Sequence, residues 1–392
     1  MIGAAATLEA LRRDGLYRRR RVIESAQGAR VVLDGREVVL LCSNDYLGLA
    51  GAQELRDAAA AAALAWGAGS GASPLVSGHM ELHRELEEEL ADFKRAEACV
   101  LFGSGFLANT GVVATIAGPG DVILSDALNH ASLIDGCRLA RARTVVYPHC
   151  DVDALAAELG RVPPGRGVIV TDAVFSMDGD LAPLAAIAEL AERHRARVIV
   201  DEAHATGVVG PGGRGLVVEL GLEDRVDVVV GTLGKALGSY GAFACCDAAA
   251  AELLVNRART MIFSTALPPP VVGAALRALR LVRERPEIVD RLRDRARTLR
   301  ACLRAAGLPA EPGEIPIVPL IVGDAEAAVR ASERALHDGV FVQAIRPPTV
   351  PPGTSRLRVV ATAAHARDEL ARAAACLSEA VASASALAAR MA

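Results

Sequence analysis

Through the middle of the chain, short uninterrupted apolar runs alternate with stretches whose apolar residues recur every three or four positions. Residues 98–102, 121–124, 144–147, 168–171, 198–201 and 226–230 are such runs, most of them rich in valine and isoleucine. Between several of them lie helical patterns, such as the one beginning at Leu107 and the amphipathic stretch 184–195. Runs without polar alternation predict strands buried on both faces, and helical connections between them predict parallel pairing. The expected fold class is therefore α/β, with a mostly parallel sheet covered by helices. In sheets of this kind ligands sit beyond the carboxyl ends of the strands, which says where to look for chemistry.

From about residue 286 the pattern changes. A charged helix (288–306) precedes a strand (317–322), then a helix, a proline-rich loop (347–352), a strand (357–361) and a final helix (367–387). This predicts a smaller α+β domain over 286–392. The large domain is expected over 46–285, and an N-terminal segment, 1–45, is expected to pack with the small one.

Composition narrows the function classes. The 392 residues are 52% hydrophobic and 23% charged, ordinary for a globular protein. Net charge is −4, with both signs interleaved, so no basic stripe marks a nucleic-acid surface. Arg18, Arg19, Arg20 and Arg21 form the one short basic cluster. No apolar stretch reaches the roughly 20 residues of a membrane span, and the first residues lack the order of a signal peptide. The eight cysteines are scattered without a CxxC pair, which suits reduced thiols and a cytoplasmic location.

Lys235 is the centre of the chemistry. In VDVVVGTLGKALGSYG a buried strand ends and a glycine-rich loop presents one lysine, with small neighbours that leave room for a ring. Such a lysine is a candidate Schiff-base nucleophile once its amine is deprotonated. The bland alternative is a surface lysine in a loop. Asp201 ends the run ARVIVDEAH, where an acid gains nothing from the apolar residues before it. Pyridoxal 5'-phosphate needs a carboxylate at its pyridine nitrogen, so that the ring stays protonated and absorbs electrons. His204, three residues on, is a candidate for the ring oxygen, with a structural histidine as the alternative. Gly105 and Phe106 lie where a glycine-rich turn opens a helix, a setting that suits a phosphate. That turn also resembles a dinucleotide fingerprint, with Asp126 at roughly the right distance. His130 is a candidate for stacking on a flat ring, Ser176 for bonding the ring hydroxyl, and Thr232 for a phosphate contact.

Two motifs lead elsewhere and fail. Asp201-Glu202-Ala203-His204 spells a helicase box, but the upstream phosphate loop it needs is missing. His79 and His83 flank Glu81 without the HExxH spacing of a zinc site, and no metal is expected.

Taken together, SNDYLGLA, GSGASPLVSGHMELHRELEEELA, FGSGFLANTG, NHASLIDG, VFSMDGDLAPL, VDEAHATGVVGPGGRG, GTLGKALG, FSTALPP and RPPTVPPGTSRLRV resemble the α-oxoamine synthases, which are fold-type I enzymes dependent on pyridoxal phosphate. The resemblance runs from about Cys42 to His365. It implies that Lys235 carries the cofactor, Asp201 meets its pyridine nitrogen, His204 its ring oxygen and His130 its ring face. It implies backbone contacts to the phosphate at Gly105 and Phe106, and polar cofactor contacts at Ser176 and Thr232. Arg358 matches the arginine that grips an amino acid's carboxylate. Asn44 falls in the substrate-side loop, Thr349 in the segment that varies between branches, and Arg21 in the basic N-terminal segment. The family also implies a homodimer with a shared active site, reached across the interface by Ser264 and Thr265. VFSMDGDLAPL, AIRPPTVPPGTSRLR and ATAAHARDEL resemble the branch of biotin synthesis that joins L-alanine to a pimeloyl thioester of coenzyme A or a carrier protein. A sister enzyme using glycine or serine is the alternative within the family. An NAD-dependent oxidoreductase, or a silent protein on the same fold, would leave the spacing of Asp201 and Lys235 unexplained.

Overall fold

A computed structural model describes residues 3–391, with side chains described up to residue 384. The strands among the described residues are, in chain order, β1 (Arg30–Leu33), β2 (Arg36–Leu40), β3 (Ala98–Phe102), β4 (Val122–Asp126), β5 (Arg143–Tyr147), β6 (Gly167–Asp172), β7 (Arg197–Asp201), β8 (Val228–Thr232), β9 (Ala242–Cys246), β10 (Ile317–Gly323), β11 (Val340–Phe341), β12 (Gln343–Ile345) and β13 (Ser355–Val360). They fall in two compact units. One comprises 49–176 and 180–289, the other 1–48, 177–179 and 290–392.

The larger unit is built on a seven-stranded sheet in the order β3-β9-β8-β7-β6-β4-β5. Strands β4 to β8 run parallel. Consecutive residues such as Ile123 and Leu124, Val168 and Ile169, and Ile199 and Val200 are all buried, as a sheet covered on both faces requires. One face packs on the helix Gly105–Ile116 through Ala108, Val112 and Val113. Strand β9 is antiparallel to both its neighbours, β3 and β8. Its sequence, AFACC, has no β-branched residue, and the apolar-run pattern did not predict it. Gly231 stands opposite Phe243 on β9, and a Cβ there would lie 2.2 Å from the phenyl ring. The close approach of β8 and β9 therefore needs glycine.

Among the boundaries that differ from expectation, two bear on the site. The helix after β3 begins at Gly105, two residues early, because Ser104 caps it by accepting the Leu107 N–H at 3.3 Å. The run at 226–230 forms a strand displaced to Val228–Thr232, because its pairing with β9 extends to Thr232. The consequence is the same in each parallel strand that matters. Asp126, Asp172, Asp201 and Thr232 are the last residues of β4, β6, β7 and β8, and the loops that follow carry the polar residues.

The smaller unit holds two three-stranded sheets, β1-β2-β11 and β10-β13-β12. Its core gathers Leu299, Leu303, Val318, Leu320, Leu357, Val359, Leu370 and Leu377. No helix among the described residues is long and apolar enough to cross a membrane.

Candidate active site

Lys235 lies in the turn after β8, half-buried, and His204 in the turn after β7. Lys235 Nζ and His204 Nε2 are 2.8 Å apart and share a hydrogen bond. Asp201 is buried at 4% exposure. Its Oδ1 accepts the Ala203 backbone N–H at 2.7 Å, and its Oδ2 accepts the Asn109 side-chain amide at 2.6 Å. The same amide nitrogen donates to Ser132 Oγ at 2.8 Å. The Asn109 carbonyl oxygen is buried without a hydrogen-bond partner. The charge-assisted bond to Asp201 thus sets the orientation of this amide.

The string continues to His130. Its Nδ1 lies 2.7 Å from Ser132 Oγ and accepts the Ser132 backbone N–H at 3.3 Å. An accepting Nδ1 makes the ring neutral, with its proton on Nε2. Desolvation holds this imidazole below its ordinary pKa, the charge of Lys235 adds to that, and Asp201 opposes it. His130 remains open to solvent at the start of the helix Ala131–Leu139. Its backbone N–H donates to Asp172 Oδ2 at 2.8 Å. Burial, then the neighbouring charge of Asp201, raises the carboxyl of Asp172 well above the usual range. Neither Asn109, Ser132 nor Asp172 stands out in the sequence as a site residue. Asn109 is one polar residue on an otherwise apolar helix (GFLANTGVVATI), and that was the available signal.

Gly105 and Phe106 open the 12-residue helix Gly105–Ile116 ahead of the capped Leu107. The first N–H groups of a helix have no intrahelical partner and suit an anion. Thr232 Oγ1 donates to Gly241 O at 3.0 Å and accepts the Gly234 N–H at 3.2 Å, so this hydroxyl braces the lysine turn. Ser176 is half-buried, directly after Phe175. Ser264 and Thr265 line a cavity of about 310 Å³ with His83, Glu87, Phe102 and Leu267, and neither Lys235 nor Asp201 belongs to its walls.

The expected substrate residues lie in the smaller unit. Arg358 is buried on β13. It donates from Nη1 to Asn44 Oδ1 at 3.0 Å and from Nη2 to the Tyr46 hydroxyl at 3.3 Å. Arg358 and Asn44 are therefore brought together, with Tyr46 as a third member that sequence reasoning missed. Thr349 is exposed, in the loop after β12. Arg21 pairs with Asp34 at 3.7 Å and lines a separate cavity of about 490 Å³ with Tyr17, Arg19, Arg20 and Arg346.

The rejected motifs have structural partners. Asp126 bonds His149 Nδ1 at 2.9 Å and the Cys150 N–H at 2.8 Å, which occupies the acid a dinucleotide would need. His79 bonds Glu87 at 2.8 Å, and His83 bonds Leu267 O at 2.7 Å.

An amine, an imidazole, a buried carboxylate and a helix start, all on loops at the carboxyl edge of one parallel sheet, fit pyridoxal phosphate. The family model for aminotransferases of class I and II matches residues 36–377. The 8-amino-7-oxononanoate synthase of Geobacter sulfurreducens is 51% identical over 95% of this chain and 96% of its own. The protein so named from Anaeromyxobacter dehalogenans is 52% identical over 92% of this chain and 90% of its own. The chain belongs to the aminotransferase class I and II family and, within it, to the group of the 8-amino-7-oxononanoate synthases. Among solved structures, serine palmitoyltransferase of Sphingomonas wittichii superposes with a TM-score of 0.92 at 31% identity, covering 97% of both chains. An 8-amino-7-oxononanoate synthase of Francisella tularensis gives 0.75 at 28% identity, over 88% of this chain and 98% of its own.

Proposed function

We propose that this enzyme joins L-alanine to a pimeloyl thioester and releases CO₂ and the free thiol, forming 8-amino-7-oxononanoate for biotin synthesis. The observation that carries the reading is 51% identity to a synthase of that name over nearly the whole of both chains. Serine palmitoyltransferase matches the fold as fully, but at only 31% identity, and that difference favours alanine over serine.

Pyridoxal phosphate, when bound, supplies an electron sink for negative charge at the amino acid's Cα. The chain's own residues divide the remaining work. Lys235 anchors the cofactor and, once released, its amine takes the Cα proton. Asp201, held by Asn109 and Ala203, keeps a proton on the pyridine nitrogen. His204 holds the ring oxygen and donates toward the acyl oxygen as charge develops there. Gly105, Phe106, Ser176 and Thr232 would hold the phosphate and the ring, and His130 would lie against the ring. Arg358, oriented by Asn44 and Tyr46, holds the substrate carboxylate.

The protein acts as a cytoplasmic homodimer in which Thr265 serves the partner's cofactor phosphate. Exposed Leu75, Val76 and Phe263 support an interface on the larger unit. The acyl carrier is coenzyme A or a carrier protein.

The test is thiol release from pimeloyl-CoA by purified, cofactor-loaded protein, with L-alanine, glycine and L-serine supplied in parallel. Release with L-alanine alone is expected. Release only with glycine or serine would move the protein to a sister branch.

A further inference from the structure

We infer that Lys94 and Glu202 are positioning residues, a buried ion pair that sets where Asp201 and His204 stand. Glu202 follows Asp201 directly and precedes His204 by two residues. Its side chain is wholly buried. Glu202 Oε2 accepts from Lys94 Nζ at 2.6 Å, and Oε1 accepts the Val217 N–H at 2.8 Å. Lys94 ends the helix Glu81–Lys94 and is itself 4% exposed. Its ammonium also donates to Thr206 Oγ1 at 2.8 Å and to Arg214 O at 2.7 Å, so three acceptors use its three protons.

The backbone of Glu202 is held as firmly as its side chain. Its N–H donates to Val230 O on β8 at 2.7 Å, and its carbonyl accepts the Ala205 and Thr206 N–H groups at 2.9 and 2.8 Å. The turn 201–206 is thus tied at one residue to β8, to Lys94 and, through Val217, to the segment after Gly215. Gly215 sits at φ +110°, and a Cβ there would lie 1.9 Å from Glu202 Oε2. The carboxylate fills space that only glycine leaves.

A buried ion pair is a poor source of stability, because taking both charges out of water cancels most of their attraction. Well-packed apolar residues often replace one without loss. What the pair does supply is direction: together with the backbone bonds, five hydrogen bonds with fixed angles converge on one residue of the turn that carries Asp201 and His204. Neither Lys94 nor Glu202 touches the reacting atoms; they act through Asp201, directly before Glu202, and His204, two residues after it.

The inference rests on the cofactor reading only in its second readout. Wild type is compared with Lys94→Met/Glu202→Gln, which removes both charges and keeps volume and the Val217 acceptor. Amide exchange over residues 201–206 is measured in the cofactor-free protein, and the cofactor Kd is read by titrating visible absorbance. The variant is expected to melt near wild type, while exchange in the turn rises about tenfold or more and Kd rises by a similar factor. A well-folded variant with wild-type exchange and wild-type Kd would overturn the positioning role. Should the double variant not fold, Glu202→Gln alone is put through the same measurements under the same criterion. Wild-type protein that binds no cofactor would sink the cofactor reading, and the exchange comparison would still decide the role of the pair.

Discussion

Lys235 Nζ stands 2.8 Å from His204 Nε2, and the two side chains rise from turns after adjacent parallel strands. One of the two groups must present a lone pair to the other. On the roles proposed above, that arrangement would let a proton pass between the lysine amine and the imidazole. The buried carboxylate of Asp201 lies three residues from this imidazole, held by two donors of its own.

Lys235→Ala removes the amine proposed to anchor the cofactor and move the proton. The variant is expected to lose the visible band of lysine-bound cofactor, and thiol release is expected to fall by at least about 10²–10⁴-fold, the usual share of a general base. Absorbance and a thiol assay check both. Wild-type turnover would rule out this lysine.

Asp201→Asn should still bind cofactor, since a neutral amide fills the same space. It cannot hold a proton on the pyridine nitrogen, so exchange of the alanine α-proton is expected to drop by several orders of magnitude. Proton NMR in deuterated buffer reads this directly, and near-normal exchange would sink the assignment.

Asn109→Ala tests the string from Asp201 to His130. Removing the donor to a buried carboxylate forfeits about 1.5–3 kcal/mol. We expect a weaker hold on the cofactor, measured as a raised Kd, with the thermal midpoint falling far less than in a core truncation. An unchanged Kd would make this amide a packing residue only.

Arg358→Ala should raise the KM for L-alanine and leave cofactor binding at wild-type level, because its bonds lie with Asn44 and Tyr46. Loss of one charge-assisted contact predicts about 1.5–3 kcal/mol in kcat/KM. A defect confined to cofactor affinity would contradict this role.

His149 contributes a pH-dependent part of the stability. Burial alone would lower its pKa from 6.5, but hydrogen bonds to Asp126 and Asp180 outweigh it and the net shift is upward. A folded-state pKa above the unfolded one adds stability that is full below pH 6.5 and is lost as pH rises through the elevated value. The Tm gap between wild type and His149→Gln should therefore be wider at acid than at alkaline pH. A gap that widens toward alkaline pH would show the opposite sign.

The parallel strands could be read from the sequence because valine and isoleucine runs without polar alternation have one stable home, a sheet covered on both faces. Lys235, Asp201, His204 and His130 were legible as candidates for a related reason. Asp201 ends an apolar run, Lys235 breaks a glycine-rich turn, and the two histidines lie within four residues of a strand end. Strand β9 was not legible, since AFACC becomes a strand only through its neighbours β3 and β8. Asn109, Ser132, Tyr46 and the Lys94–Glu202 pair were hidden for the same cause. Their partners lie tens to hundreds of residues away, for example 92 between Asn109 and Asp201 and 108 between Lys94 and Glu202. Sequence by itself determined the parallel strands and named the candidates at their ends, because local pattern and turn chemistry act over a few residues. Only the tertiary structure decided what holds them, because buried hydrogen bonds and ion pairs join whichever groups the packing brings within 3 Å or so of each other.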